Sequence, residues 1–401
     1  MAWPSGSLRL LTVFSVLQAA CVAAPEDAES AGGARPADAG TRQKDGGANK
    51  DGGSNKDASG PAHDAGRTAD AGRTADAGSR VTDEPTPASL TKAPKLLSQT
   101  GLFAELATEE LGAGVEAYKP RYALWSDGAD KRRWFRLPPG TQIDTTDMDY
   151  WKFPPGTKIW KEFSKDGKVL ETRYMAKYGA DGMDWVYVAY QWNADGSDAV
   201  ATPNGAENVA GTAHDIPSDL TCLKCHEGLD DGALGIGALQ LSHDGEGLRL
   251  ATLIERGLLS APPAGPLVLP GDETTREALG YLHANCGTCH NPRGGEAFAK
   301  NAAIVYLQST KQLDTVEQTT TYQEMITRTN GNLSLLLKGV ERMMSRPEKQ
   351  MPPVGSEFVD DEGVALVDAW NKQLLKKFPQ SKFADAGTSA DAGARPRDAG
   401  R

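Results

Sequence analysis

Apolar residues follow two different rhythms along this chain. In the first half, TKIWKEF (157–163), VLETRYMAK (169–177) and WVYVAYQW (185–192) are dense in β-branched and aromatic side chains and read as strands. Asp166-Gly167 between the first two predicts a tight hairpin turn, and Asp181-Gly182 precedes the third. LPPGTQI (137–143) and FPPGTKI (153–159) echo each other sixteen residues apart. In the second half the spacing changes to three and four, the repeat of an amphipathic helix. Residues 274–286 (TTREALGYLHANC) place Ala278, Tyr281, Leu282 and Asn285 at that spacing, with Asp272 or Thr274 to cap the start. Residues 332–344 turn Leu333, Leu336 and Leu337 inward, and residues 360–375 carry Leu366, Val367, Trp370 and Leu374 on one face. The predicted fold class is α+β and multidomain: an antiparallel β-rich domain over 95–215, a linking segment over 216–270, and a mostly α-helical domain over 271–383.

Composition removes the two ends from this picture. Residues 22–94 are mostly Ala, Asp, Gly, Arg, Lys and Thr, with tandem RTADAG copies at 67–72 and 73–78, and residues 384–401 repeat that composition. Such segments bury too little apolar surface to offset chain entropy, so both are expected to be disordered. Ahead of them, Arg9, the apolar run 10–17 and Ala19-Ala20-Cys21 have the order of an export signal over 1–21, too short to span a bilayer permanently. Cys21 stands where a lipoprotein cysteine would, which makes the polar stretch a membrane tether averaging roughly 50 Å end to end. Leu17 lies one place early and Gln18 fills the usual aliphatic position, so ordinary cleavage is the alternative. The formal charge of −11 belongs to the folded part; it argues against nucleic acid and suits a neutral or basic partner.

The chemistry lies in the cysteines. Besides Cys21 there are four, and they form two C-x-x-C-H units: Cys222, Cys225 and His226 in TCLKCH, and Cys286, Cys289 and His290 in NCGTCH. In c-type haem attachment two thiols add across the two haem vinyl groups, two intervening residues match that separation, and the next histidine falls beneath the iron. Zinc would use the four thiols in a closed site without explaining a histidine after each pair. A redox dithiol rarely comes twice, and a disulfide across three residues closes little chain. The expected cofactors are therefore two covalently bound c-type haems, with His226 and His290 as proximal ligands.

For the second haem the distal ligand is Met351, held in QMPPVG between the motif and the last helix and stiffened by Pro352-Pro353. Its bland alternative is a core filler, the role expected of Met343 and Met344. The first haem differs. About 45 residues separate His226 from Pro270, too few for a second cytochrome fold, and no methionine lies between Met183 and Met325. Met183 would have to reach in; otherwise the candidates are His243, His214 and His283, or an open sixth position. His243 is the expected ligand; it could instead cap or sit exposed, His214 could order its turn, and His283 could face solvent.

Trp125, Trp134, Trp151, Trp160, Trp185 and Trp192 crowd the β-rich region. They favour an aromatic core and a wall for the first haem over a carbohydrate- or partner-binding face. The charged run in LWSDGADKRRWFRLPPG includes Lys131, Arg132 and Arg133, which pair with haem propionates or face water. No nucleophile–base pair, phosphate loop or mononuclear metal motif stands out in this region.

Together LWSDGADKRRWFRLPPG, FPPGTKIWKEF, HDIPSDLTCLKCH, LGIGALQLS, YLHANCGTCHNPRG and MPPVGS resemble a family of predicted bacterial dihaem c-type cytochromes, over nearly all of 96–375. The helix–CxxCH–MPP–helix order of the C-terminal part is similar to class I cytochrome c. The resemblance implies export to the periplasm or cell envelope, two covalent haems, and electron transfer to or from a periplasmic redox protein or dehydrogenase. It implies no sixth ligand for the first haem. The rival expectation is a dihaem peroxidase-like oxidoreductase with an open site at that haem.

Overall fold

The computed structural model describes residues 90–294, 305–327, 333–345, 350–353 and 355–378. The expected export signal, Cys21, most of the linker and the C-terminal tail lie outside the described residues. No described helix is long and apolar enough to cross a membrane.

Strands β1 (Phe103–Glu105) and β2 (Glu110–Leu111) form a small antiparallel pair. Strands β3 (Glu116–Ala117), β4 (Asp130–Arg136), β5 (Lys158–Lys165), β6 (Lys168–Lys177), β7 (Trp185–Trp192) and β8 (Ala199–Ala201) form a six-stranded antiparallel meander in sequence order. Asp166 and Gly167, with φ of 51° and 76°, make the two-residue β5–β6 turn that their types predict. The two PPGT strings build the same turn twice, the Thr141 hydroxyl donating to Pro138 O and the Thr157 hydroxyl to Pro154 O, each at 2.7 Å.

Strand β4 is where the pattern misleads, because its charged run is a strand whose charges serve two faces. Arg132 reaches Glu109 and Glu162 on one side, while Arg133 turns to the other. The Arg132 face packs Trp134, Trp160, Tyr174 and Tyr190 against Leu97, Leu102 and Phe103. Leu90 joins this core at 8% exposure, so the folded region reaches back to at least residue 90 rather than beginning at 95. The opposite face packs Phe135, Ile159, Met175, Trp185 and Tyr187 against Leu241, Leu250, Leu253 and Leu259. Residues 216–270, with helices α1 (Asp219–His226), α2 (Ala238–Leu241) and α3 (Leu250–Glu255), are thus a lid on the sheet, seated by backbone bonds such as Ile143 N to Leu258 O at 2.9 Å. Four of the six tryptophans, Trp134, Trp151, Trp160 and Trp185, are buried core.

A third core joins α4 (Glu273–Asn285) to the helix Ser334–Met344 and the final helix Asp361–Lys377 through Leu279, Leu282, Leu336, Val367 and Trp370. Asp272 caps α4 by accepting from Thr275 N at 2.9 Å, and Asp360 caps the final helix by accepting from Gly363 N. The chain is therefore α+β, with antiparallel sheets and helices.

Candidate cofactor site

Helix α1 begins after Ser218, whose hydroxyl accepts from Thr221 N at 3.2 Å. Offsets of three and four put Cys222, Cys225 and His226 on one face of it. None of its residues is fully buried, and Leu220 is 78% exposed. Its inner face borders a cavity of about 720 Å³ roofed over the β5–β7 face of the sheet. That size falls within the roughly 300–1,000 Å³ of small-molecule and cofactor pockets. Both C-x-x-C-H units and Met351 line it.

The two motifs touch. Asn291, fully buried, donates from Nδ2 to Gly228 O beside the first motif at 2.9 Å, and to Gly287 O and Thr288 O within the second. Gly228 is required there, because a Cβ would stand 2.1 Å from Thr288 O. Cys289 Sγ reaches across this junction to Lys224 O at 3.9 Å; interaction with Cys289, with burial, pushes the Cys225 thiol up, and interaction with Cys225 brings Cys289 down to about 7. All four motif cysteines are free thiols.

His226 is prepared as a ligand. Its Nδ1 faces Gly232 O, which can only accept, so Nδ1 carries the proton and the Nε2 lone pair is left for a metal. Burial, reinforced by the Lys161 charge, pushes its pKa down to about 3 and keeps the ring neutral. The Tyr187 ring lies 4.8 Å away. Asp231, next to Gly232, fixes this loop by accepting from Lys177 Nζ, Phe153 N and, at 3.1 Å, Trp185 Nε1.

The second motif is presented by the end of α4, where His290 N donates to Cys286 O at 2.8 Å and Tyr306 stands edge-on to the imidazole at 5.5 Å. The LWSDG loop clamps it: Trp125 N donates to Asn285 Oδ1 at 2.7 Å, and Asp127 accepts from Phe358 N beyond the Met351 loop.

The histidines expected opposite His226 go elsewhere. His243 is a correction: its Nε2 bonds Lys119 O at 2.7 Å, its Nδ1 accepts from Gly245 N, and it does not line the cavity. A backbone kink after Leu241 needs both ring nitrogens more than the cavity does. His214 bonds the buried Glu171 at 2.9 Å, and His283 accepts from Gln308 N at 3.1 Å. Met183 is 44% exposed. Instead the sheet brings in Met175 and, beside it, Lys161 and Arg173, three cavity-lining residues that the sequence did not single out. Their signal was the shared alternation phase with Ile159 and Tyr187, visible only once the strand register is known.

These groups fit a c-type haem: paired free thiols, a neutral imidazole with a directed lone pair, a thioether, and two cavity-wall donors, Trp125 Nε1 and Tyr187 Oη, with no hydrogen-bond partner. No protein-family model, curated protein or solved structure matches the chain.

Proposed function

We propose that the chain is an exported dihaem c-type cytochrome that passes electrons between periplasmic redox partners. One observation carries this: two C-x-x-C-H units, 64 residues apart between Cys222 and Cys286, meet on one cavity together with Met351. A closed zinc site would gather three or more of these side chains, and no such group occurs among the described residues, where each histidine borders the open space.

Cys222 and Cys225 would anchor one haem above His226, and Cys286 and Cys289 the other above His290, with Met351 as its thioether ligand. Bound haem supplies reversible one-electron transfer. The chain's own work is to hold the His226 imidazole neutral and aimed, to keep the two attachment loops in contact through Asn291, and to exclude water with the sheet. The class I-like arrangement of the helical part is supported by α4 meeting the final helix, where Tyr281 donates to Asp360 at 2.9 Å and Gln373 to Asp272 at 3.2 Å. Partners would be a periplasmic redox protein or dehydrogenase, with Cys21 as the membrane tether.

The peroxidase-like alternative is favoured by one feature: among the described histidines only His226 and His290 line the cavity, so no imidazole faces His226. The first test is intact mass and a haemochrome spectrum on protein matured in a haem-attaching host. Two covalent haems are expected; no added mass overturns the proposal. Carbon monoxide on the reduced form and peroxide on the oxidised form then separate carrier from peroxidase, since the carrier binds neither.

A further inference from the structure

Three basic residues stand side by side across the sheet on the face that meets the cavity. Arg133 on β4 pairs in register with Lys161 on β5, which pairs with Arg173 on β6. Directly opposite residues on an antiparallel face lie about 5 Å apart, a spacing at which like charges repel. The rows flanking them are Phe135, Ile159 and Met175 on one side and Lys131, Phe163 and Glu171 on the other. The two flanking rows therefore supply a single carboxylate, that of Glu171; Asp127, Glu207, Asp215 and Glu357 stand elsewhere on the cavity wall, and Asp149 borders a smaller pocket beside Lys161. Glu171 is committed, at 2.5 Å to Arg173 and 2.9 Å to His214.

Arg133 and Lys161 have no such partner among the described residues. Arg133 is 5% exposed and its Nε has no hydrogen-bond partner. Lys161 and Arg173 line the main cavity, and Lys161 also lines a smaller pocket of about 60 Å³ that Arg133 borders. Arg133 is thus a buried, permanently charged cation without a counter-charge, which is unfavourable unless something anionic completes it, while Lys161 and Arg173 are half-buried at the cavity wall. Trp125 Nε1 and Tyr187 Oη, on the walls of the same cavity, are further donors lacking an acceptor. Against these donors the cavity wall carries one unmet acceptor, Gln350 Oε1, so the balance favours a ligand of acceptor oxygens.

We propose that Lys161 and Arg173, backed in register by Arg133 behind the wall, form a carboxylate site inside the cavity, receiving either the propionates of the haem held by Cys222 and Cys225 or a free carboxylate ligand. The propionate source rests on the haem reading above. Both sources would present the same carboxylate oxygens to Lys161 and Arg173, whose charges also act on Cys222 and Cys225. Removing a cation beside a propionate favours the more positive ferric haem, so the potential of that haem falls. The expected set is broader than the Lys131–Arg132–Arg133 run of the sequence, of which only Arg133 faces this row. Lys131 donates to Leu124 O and Ala129 O, and Arg132 sits on the other face.

The test uses the full exported protein, first counted for haem, then compared with Lys161→Met, Arg133→Met and the charge-keeping Lys161→Arg. Potentials are followed by spectroelectrochemistry, propionate bending bands by resonance Raman, and free-carboxylate binding by calorimetry with succinate. For the propionate source, each Met variant lowers the potential of one haem and shifts its propionate band. Lys161→Arg stays near wild type, and succinate does not bind. For the free-ligand source, succinate binds wild type at one site, and Lys161→Met loses that binding at least tenfold. Unchanged potentials and bands together with no succinate binding overturn the proposal. A protein that carries no haem sinks the cofactor reading alone, and its succinate titration still decides the row. Should Lys161→Met fail to accumulate, Arg133→Met and the wild-type titration decide between the same outcomes.

Discussion

His243 and His226 show how little a histidine's identity says before its neighbours are known. Both rings hold a backbone carbonyl, but His226 keeps one nitrogen for the cavity whereas His243 spends one on Lys119 O and the other on Gly245 N in its own loop. On the proposed dihaem reading, His243→Ala should therefore leave the spin state of both haems unchanged in optical and EPR spectra. It should cost about 1–2 kcal/mol of stability for two lost hydrogen bonds. Met351→Ala should lower the potential of one haem only, since a thioether ligand favours the reduced iron, and an unmoved potential would remove Met351 from the ligand set. His283 carries a pH dependence. Burial pushes it down to about 4 from 6.5, so between those values the unfolded chain binds more protons than the folded one. Its stabilising contribution is complete above about pH 6.5 and is lost as pH falls toward 4, at no more than about 1.4 kcal/mol per unit. Denaturant titrations should show His283→Gln flattening that slope.

At the scale of elements, the contact between the two attachment loops matters most. Asn291 ties three carbonyls from both loops with one buried amide. Asn291→Ala would leave those acceptors without their donor, at about 1–3 kcal/mol, and loosen one loop from the other. A lower melting temperature and weaker interaction between the two haems in a redox titration are expected; an unchanged interaction would mean that Asn291 serves stability alone. Helix α4 and the final helix were legible in advance because each has a capping carboxylate, Asp272 and Asp360, and a three-four apolar repeat, as Ala278 and Leu282 show for α4; α1, α2 and α3 are too short for such a repeat. The strands β5, β6 and β7 were legible for their aromatic and β-branched content. Strand β4 was not, because DKRRWFR looks like a solvated run until Arg132 finds Glu109 and Glu162 and Arg133 turns inward.

For the whole molecule, the cavity lies where three separate stretches meet: the sheet, α1, and the loops after α4. A ligand that binds only the folded form stabilises it by mass action, and a covalent one does so permanently. Protein exported from a host unable to attach haem should therefore melt at a markedly lower temperature than the matured protein. Equal melting temperatures would indicate that nothing of that size belongs in the cavity.

The sequence alone determined which atoms carry the chemistry. Two C-x-x-C-H units are local, and their spacing sets thiol and imidazole geometry without help from the rest of the chain. It also determined the three longer helices and strands β5, β6 and β7, whose apolar patterns are equally local. Only the tertiary structure decided that the two motifs share one cavity, that His243 is absent from it, and that Met175, Lys161 and Arg173 face it. Those facts depend on strand register and on how residues 216–270 close over the sheet. Such pairings join residues tens of positions apart and leave no periodic trace in either partner.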